Sequence, residues 1–405
     1  MMNSPTTSLP LSRLVNEMQE SATLKMAKMA RELKAQGKDV IDMSLGEPDF
    51  DTPTHIKDAA KQALDAGYTK YTPVNGLLEL REAIVRKLLR ENNLVYNVNE
   101  IVVSNGAKQS VYNLCMSLLD PGDEVILPAP YWVSYYEIVK MAGGVPVIAH
   151  SDIQHDFKCT PGHIEALITD RTKFILYSSP CNPSGSVFSF DQIQGIAEML
   201  KSYEHVLVVS DEIYEHINFA GPHRSMAEVD GMRDRTVIIN GMSKAFAMTG
   251  WRLGYIAGPA WIAEACTKIQ GQVTSGATSF GQKAAAIALD SDLGPTYEMV
   301  KAFKKRRELI ISRLEQIPLL MVNRPEGAFY IFPDVSAYFG RTSTNGYVVS
   351  DADDLSMYLL SAAQVSTVSG VAFGNDRCIR LSYATSEANI EEAVTRIANA
   401  LAQLH

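Results

Sequence analysis

The stretch Val237-Ile238-Ile239-Asn240-Gly241-Met242-Ser243-Lys244-Ala245-Phe246-Ala247-Met248-Thr249-Gly250-Trp251-Arg252-Leu253-Gly254-Tyr255 decides how the chain is read. It opens with a short β-branched apolar run of the buried-strand kind. A turn carrying Gly241, Ser243 and Lys244 follows, and Gly250 to Gly254 leads back to an apolar pattern. Most lysines are solvated surface groups, and a lone Ser-Lys pair is a weak signal. A lysine at the end of a buried strand is unusual, because partial burial of a strongly hydrated ammonium lowers its pKa. That is what an amine needs to attack a carbonyl and form an imine. Ser243 adds a hydroxyl and Arg252 a fixed fork of donors, the groups that hold a phosphate dianion. The stretch reads as a Schiff-base lysine beside a phosphate anchor, which implies pyridoxal 5′-phosphate (PLP).

Working outward, the same arrangement of buried strand and polar loop recurs. His205–Ser210 is the strongest buried-strand signal and ends in Asp211-Glu212-Ile213-Tyr214. A carboxylate at a buried strand's end needs a partner, and a protonated pyridinium nitrogen is one. Lys173–Tyr177 runs into Ser178–Gly185, where Pro180 and Pro183 bracket Asn182 and fix its amide. Glu124–Leu127 ends in Pro128-Ala129-Pro130-Tyr131-Trp132, where Trp132 either fills a core or stacks on a flat ligand. Ile101–Ser104 leads into Asn105-Gly106-Ala107-Lys108, a glycine turn feeding a helix whose free N–H groups make a phosphate seat. Lys108 opposes the helix dipole there, a hint of a nearby anion.

Further out, a helix carrying Leu24, Ala27, Ala30 and Leu33 precedes a Gly/Pro/Asp loop from Gly46 to Pro53. A helix over 54–67, capped by Thr54, is followed by an aromatic loop in which periodicity favours Tyr71 as a core residue. Beyond the lysine stretch come helices to Asp290 and a charged helix over Tyr297–Gln316. The remainder reads as a smaller α+β unit with strands at Leu320–Val322, Ala328–Pro333, Val365–Val368 and Cys378–Tyr383. Arg380, central in an apolar strand, is costly unless paired, so a bound carboxylate is expected.

Composition bounds the class. The 405 residues exceed one simple core, and 46% hydrophobic with 20% charged residues is ordinary for a globular protein. A net charge of −9 argues against nucleic acid or an anionic membrane as main partner, and no apolar run approaches membrane-spanning length. Five scattered cysteines without metal-ligand spacing read as reduced thiols of a cytoplasmic protein, with no metal expected.

Taken together, Gly46–Pro53, Tyr68–Tyr71, Asn105–Gln109, Pro130–Tyr135, Asn182–Gly185, Asp211–Tyr214, Ser243–Lys244 and Arg252 resemble the class I aminotransferases of PLP fold type I. The resemblance runs from about Leu14 to the C-terminus and is strongest toward bacterial-type aspartate aminotransferases, some of which also use prephenate. It implies an α/β fold: a large PLP-binding domain over 50–290 with a mostly parallel sheet, a small C-terminal domain over 291–405, and an arm over 1–49 that joins the small domain. It implies that Lys244 carries the cofactor and moves the proton between Cα and C4′, and that Asp211 pairs with the pyridine nitrogen. Tyr214 and Asn182 would bond the ring oxygen, and Trp132 would stack on the ring. The N–H groups of Ala107 and Lys108, with Ser243 and Arg252, would hold the phosphate, helped by Tyr71 of a neighbouring subunit in a homodimer. Arg380, Asn182 and the Gly46 backbone would receive the substrate α-carboxylate.

By the same resemblance, Lys108 and Thr23 are associated with the distal carboxylate of dicarboxylic substrates. Aspartate with 2-oxoglutarate is therefore the expected amino-acid and 2-oxo-acid pair. Two departures bear on this: Met18-Gln19-Glu20-Ser21 replaces a Lys-Pro-Ser pattern, and Ser275-Gly276-Ala277 stands where relatives carry Ser-Asn-Pro. The alternatives are an aromatic, alanine or prephenate aminotransferase, or a PLP-dependent C–S β-lyase on the same fold. A transcription regulator with an aminotransferase-like domain would need a DNA-binding module, for which the forty residues before Gly46 leave no room.

Overall fold

The computed structural model describes residues 11–405. Seven strands form the main sheet, in the spatial order Ile101–Ser104, Gly254–Ala257, Thr236–Gly241, Leu207–Asp211, Thr172–Ser178, Glu124–Pro128, Val145–Ala149. All pairings are parallel except the two made by Gly254–Ala257. Four of these strands are buried along their whole length, as expected for a mostly parallel sheet covered by helices on both faces. Asp211 lies opposite Ser178 on one side and Ile239 on the other, while Gly241 lies opposite Gly254. The carboxyl ends of six strands therefore share one edge, where open α/β sheets bind ligands.

A second core is built on Tyr330–Ile331, Val368–Ser369 and Ile379–Ser382, an antiparallel sheet with Ile379–Ser382 in the middle. The helices Gly294–Leu314 and Glu387–Leu401 pack on each other beside it, burying Phe303, Ile310, Ile390 and Ile397. Burying side chains of this size stabilises by about 1.5–3 kcal/mol each. The segment before the main sheet belongs to this second core. Ile41–Asp42 pairs in parallel with Val365–Ser366, and the helix Ala22–Ala35 buries Met26 and Ala30 against Val40 and Leu360.

Several local expectations are corrected. The helix Thr54–Asp65 has Pro53 at its N-cap, and Thr54 is its first residue, not its cap. Leu320–Val322 is no strand and contributes one isolated bridge, Met321 to Asp334. Val365–Val368 divides into two short strands that belong to different sheets. Tyr71 is 98% exposed, which overturns its core reading. The loop is held from beneath by Ser279 Oγ, which donates to the Tyr68 carbonyl at 2.6 Å. Gly276 lies against Thr72 and Pro73, where a Cβ would collide. No helix among the described residues is long and apolar enough to cross a membrane.

Candidate active site

A chamber of about 440 Å³ opens at the carboxyl edge of the main sheet, between the two cores. Its lining includes Thr23, Gly46, Ala107, Lys108, Trp132, Asn182, Asp211, Tyr214, Ser243, Lys244, Arg252 and Arg380, so twelve of the thirteen candidates from sequence converge there. The thirteenth, Tyr71, lies outside it on the exposed loop.

Asp211 is nearly fully buried at the end of its strand. Tyr135 Oη donates to its Oδ2 at 2.6 Å and the Ile213 N–H to its Oδ1 at 3.2 Å. Burial outweighs both donors and pushes the carboxyl up to about 6. The same burial raises the Tyr135 phenol well above its ordinary value, which keeps it a donor.

Lys244 follows the strand Thr236–Gly241 and donates to the Gly46 carbonyl. It retains some surface in the chamber, but protein surrounds it closely enough that burial lowers its amine to about 8. Glu47 acts against that shift, whereas Arg380 and Arg252 add to it. A fraction of neutral amine is thus available near pH 7.

The phosphate-type seat lies at the start of the helix Ala107–Leu118. Its N-cap is Gly106, with φ +80° and no side chain to satisfy the first N–H groups, and the first turn holds no acid. A Cβ at Gly106 would collide with the Arg252 guanidinium, so arginine and helix end meet only because residue 106 is glycine. Arg252 itself stands in the left-handed region at φ +55° and donates to the Thr249 carbonyl at 2.9 Å. Lys108 lies 4.9 Å from the centre of the Trp132 ring, its ammonium pKa lowered by burial and then by Arg252.

Arg380 reaches the chamber from the second core and is 1% exposed. It donates to Asn182 Oδ1 at 2.8 Å and to the Ser44 carbonyl, while its Nε–H has no partner among the described residues. Tyr330 and Phe373 flank the guanidinium, with ring centres 4.4 and 5.1 Å away. Among the described residues no carboxylate lies within ion-pair distance of it. A buried guanidinium with a free N–H and no anionic neighbour suits an incoming carboxylate.

Sequence reasoning gave no role to Tyr135, Ser178, Tyr330 or Glu47, all of them in or against the chamber. Glu20 lies outside it, in an adjoining cavity of about 680 Å³ with Met18, Gln19, Lys25, Glu137 and Asp353. Lys108, Ser21, Val133 and Ser134 line both spaces.

An amine of lowered pKa, a buried carboxylate, a phosphate-type seat and a carboxylate-type anchor around one chamber describe a PLP-dependent group-transfer enzyme. Residues 38–397 match the family model for aminotransferase class I and II, and the chain belongs to that family. It is similar to the Petunia hybrida bifunctional aspartate aminotransferase and glutamate/aspartate-prephenate aminotransferase, at 46% identity over 97% of this chain and 83% of the relative. It is also similar to the aspartate/prephenate aminotransferase of Nitrosomonas europaea, at 44% identity over 97% of this chain and all of the relative. Among solved structures, the aspartate aminotransferase of Rhizobium meliloti superposes with a TM-score of 0.94 at 41% identity, covering 98% of this chain and all of that one. The Thermus thermophilus aspartate aminotransferase with maleate gives 0.91 at 39% identity over 97% of this chain and all of that one.

The family cofactor is PLP. The donor set fits it: uncapped helix N–H groups, Ser243 and Arg252 suit a phosphate dianion, Asp211 a ring nitrogen, and the Lys244 amine an aldehyde.

Proposed function

We propose that this protein transfers the amino group of L-aspartate to 2-oxoglutarate, giving oxaloacetate and L-glutamate. One observation carries the reading: Arg380, buried, and Lys108, at the more open side, both line one chamber with the Lys244 amine, and among the described residues neither has a carboxylate within ion-pair distance. Two cations suit a substrate with two carboxylates. The names of the relatives support the same choice.

In this reading Arg380 and Asn182 take the α-carboxylate, with the Gly46 backbone beside them. Lys108 and Thr23 take the distal carboxylate. Trp132 would cover the ring plane, Tyr214 and Asn182 would face the ring oxygen, and Asp211 would hold a proton on the ring nitrogen. Ala107, Lys108, Ser243 and Arg252 hold the phosphate. When bound, PLP supplies an electron sink for the charge left when the substrate Cα–H is broken. Lys244 is the base that takes that proton and returns it, and its lowered pKa suits the task.

A homodimer belongs to this reading, with Tyr71 completing a neighbour's phosphate seat. Its support is an exposed apolar surface at Tyr68, Tyr71, Leu78 and Val273. The chain divides into the arm over 1–49, of which residues 1–10 lie outside the described residues, the large domain over 50–290 and the small domain over 291–405, supported by the pairing of Ile41–Asp42 with Val365–Ser366. A cytoplasmic location is supported by five buried, unbridged cysteines.

Prephenate is a second substrate, favoured by the names of the relatives and by the adjoining cavity beyond Lys108. The test is the absorbance spectrum of the cofactor-loaded protein with L-aspartate alone. A visible band that bleaches and returns with 2-oxoglutarate is expected. A band indifferent to aspartate but responsive to prephenate with glutamate, to aromatic amino acids or to alanine reassigns the substrate. Pyruvate and ammonia from cystathionine would make it a lyase, and a protein with no visible band after reconstitution would end the enzyme reading.

A further inference from the structure

Tyr330 has no part in the roles above, yet it touches two of the groups that carry them. It is fully buried in the second core, on a strand paired with the one that bears Arg380, Ser382 lying opposite it. Its ring lies under the Arg380 guanidinium at 4.4 Å. Its hydroxyl shares a 2.7 Å hydrogen bond with the Tyr214 hydroxyl, and the two rings meet edge to face. The same hydroxyl stands against Gly46, where a Cβ would overlap it, and the Gly46 carbonyl accepts from Lys244.

We propose that Tyr330 is a positioning residue that couples the Arg380 anchor to the Tyr214 hydroxyl, joining carboxylate recognition on one core to the cofactor side of the other. The face of its ring holds the guanidinium in the plane from which both forks point at Asn182 and Ser44. With the cofactor bound, where Tyr214 would donate to the ring oxygen, the Tyr330 O–H is left as the donor of their shared hydrogen bond, and a hydroxyl that already accepts a hydrogen bond donates more strongly in turn. Tyr214 then stabilises negative charge on a bound phenolic oxygen, which lowers the pH at which the visible band changes. The charged groups around the pair are Arg380, Asp211 and Glu47, with Lys244 5.7 Å from the centre of the Tyr214 ring. Glycine at position 46 follows from the same contact, since any side chain there would displace the hydroxyl.

The inference rests on the PLP reading, and its test separates the two. Cofactor-loaded wild type, Tyr330→Phe and Tyr330→Leu are titrated from pH 5 to 9 by visible absorbance, then titrated with maleate, a dicarboxylate that cannot react. Tyr330→Phe keeps the ring and loses the hydroxyl. Its band midpoint is expected to move up by about half a pH unit, while maleate affinity stays within about twofold. Tyr330→Leu loses both, and is expected to add a weakening of maleate binding on the order of tenfold. A wild type without a visible band sinks the PLP reading. A wild-type band with an unchanged midpoint in Tyr330→Phe overturns the coupling, and so does a midpoint shift in which both variants bind maleate equally. Tyr330→Phe conserves the core volume, so its midpoint decides the matter even where Tyr330→Leu fails to fold.

Discussion

Replacing Tyr135 by Phe removes one hydroxyl from a packed core and one donor from Asp211. Its hydrogen bond, 2.6 Å long and to a buried carboxylate, is the shorter of the two that Asp211 accepts. A hydrogen bond to a charged group contributes about 1.5–3 kcal/mol, and one pKa unit corresponds to about 1.4 kcal/mol. Loss of this donor should therefore raise Asp211 by about one to two units, starting from about 6. The sign follows from which form is stabilised: Tyr135 donates to the carboxylate, so without it the proton stays on to higher pH. At pH 7 wild-type Asp211 is about nine-tenths ionised in the cofactor-free protein, whereas in the variant about half to one-tenth would be. A ring-nitrogen cation needs the ionised form, so PLP affinity at pH 7 should fall about two- to tenfold. It should recover toward the wild-type value at pH 9. The assay is the PLP dissociation constant by absorbance, measured for both proteins between pH 5 and 9. Superimposable curves would refute the account, and so would a weakening that persists at pH 9, which would point to a packing defect.

Three further outcomes follow from the charges. Arg380→Lys keeps the charge but loses the fork that spans Asn182 and Ser44, so maleate binding should weaken by about 10- to 100-fold; calorimetry showing wild-type affinity would remove Arg380 from the anchor. Lys87→Met leaves the buried Glu215 carboxylate, which Lys87 helps hold well below the usual range, with the Asn92 and Asn240 amides and His216 but without its ammonium, and should cost about 3 kcal/mol of stability. Losing the exposed pair Lys305–Glu387 should cost under about 1 kcal/mol, so equal melting of the two variants would contradict the difference in burial. His223 is the third. Its imidazole is held above its ordinary value by Glu212, against the opposing effect of burial. A raised folded-state pKa gives stability that is complete below about pH 6.5 and fades as pH rises through the raised value. Melting temperature should decline over that range, and His223→Gln should flatten the slope; an unchanged slope in the variant would clear His223.

Lys244, Asp211, Asn182, Lys108 and Trp132 were legible because each follows a buried strand in the sequence, and parallel strands bring all such ends to one edge. Chain order alone then places them together. Tyr330 meets Tyr214, and the Ser44 carbonyl meets Arg380, across 116 and 336 residues of sequence, and no local period carries that information. Tyr135 sat within a recognised motif, but nothing in its spacing distinguishes a hydroxyl aimed at Asp211 from an ordinary helix aromatic. The split of Val365–Val368 has a similar origin: one short stretch, with valines at its two ends, serves two sheets, a division set by tertiary partners. The core reading of Tyr71 fails because an aromatic flanked by polar residues gives the same local pattern on a core and on a surface.

The chamber depends on two cores holding one distance, since Lys244 stands on the main sheet and Arg380 on the second. Residues 44–52 connect them. The Ser44 carbonyl accepts from Arg380 and the Gly46 carbonyl from Lys244, two residues apart along one extended segment. Asp49 then takes both forks of Arg306 at 2.6 and 2.9 Å, which ties the segment to the second core. Thr52 donates to the Ala247 carbonyl at 2.7 Å and accepts from Trp251 Nε1 at 3.0 Å, which ties its other end to the lysine loop. Backbone carbonyls cannot be removed by substitution, so the spacing between amine and guanidinium is set by main-chain geometry and survives side-chain change around it. Side chains such as Lys108, Thr23 and Gln19 lie on the open side of that frame, free of its constraints. Substitutions at those positions can therefore change substrate choice without moving the amine or the guanidinium.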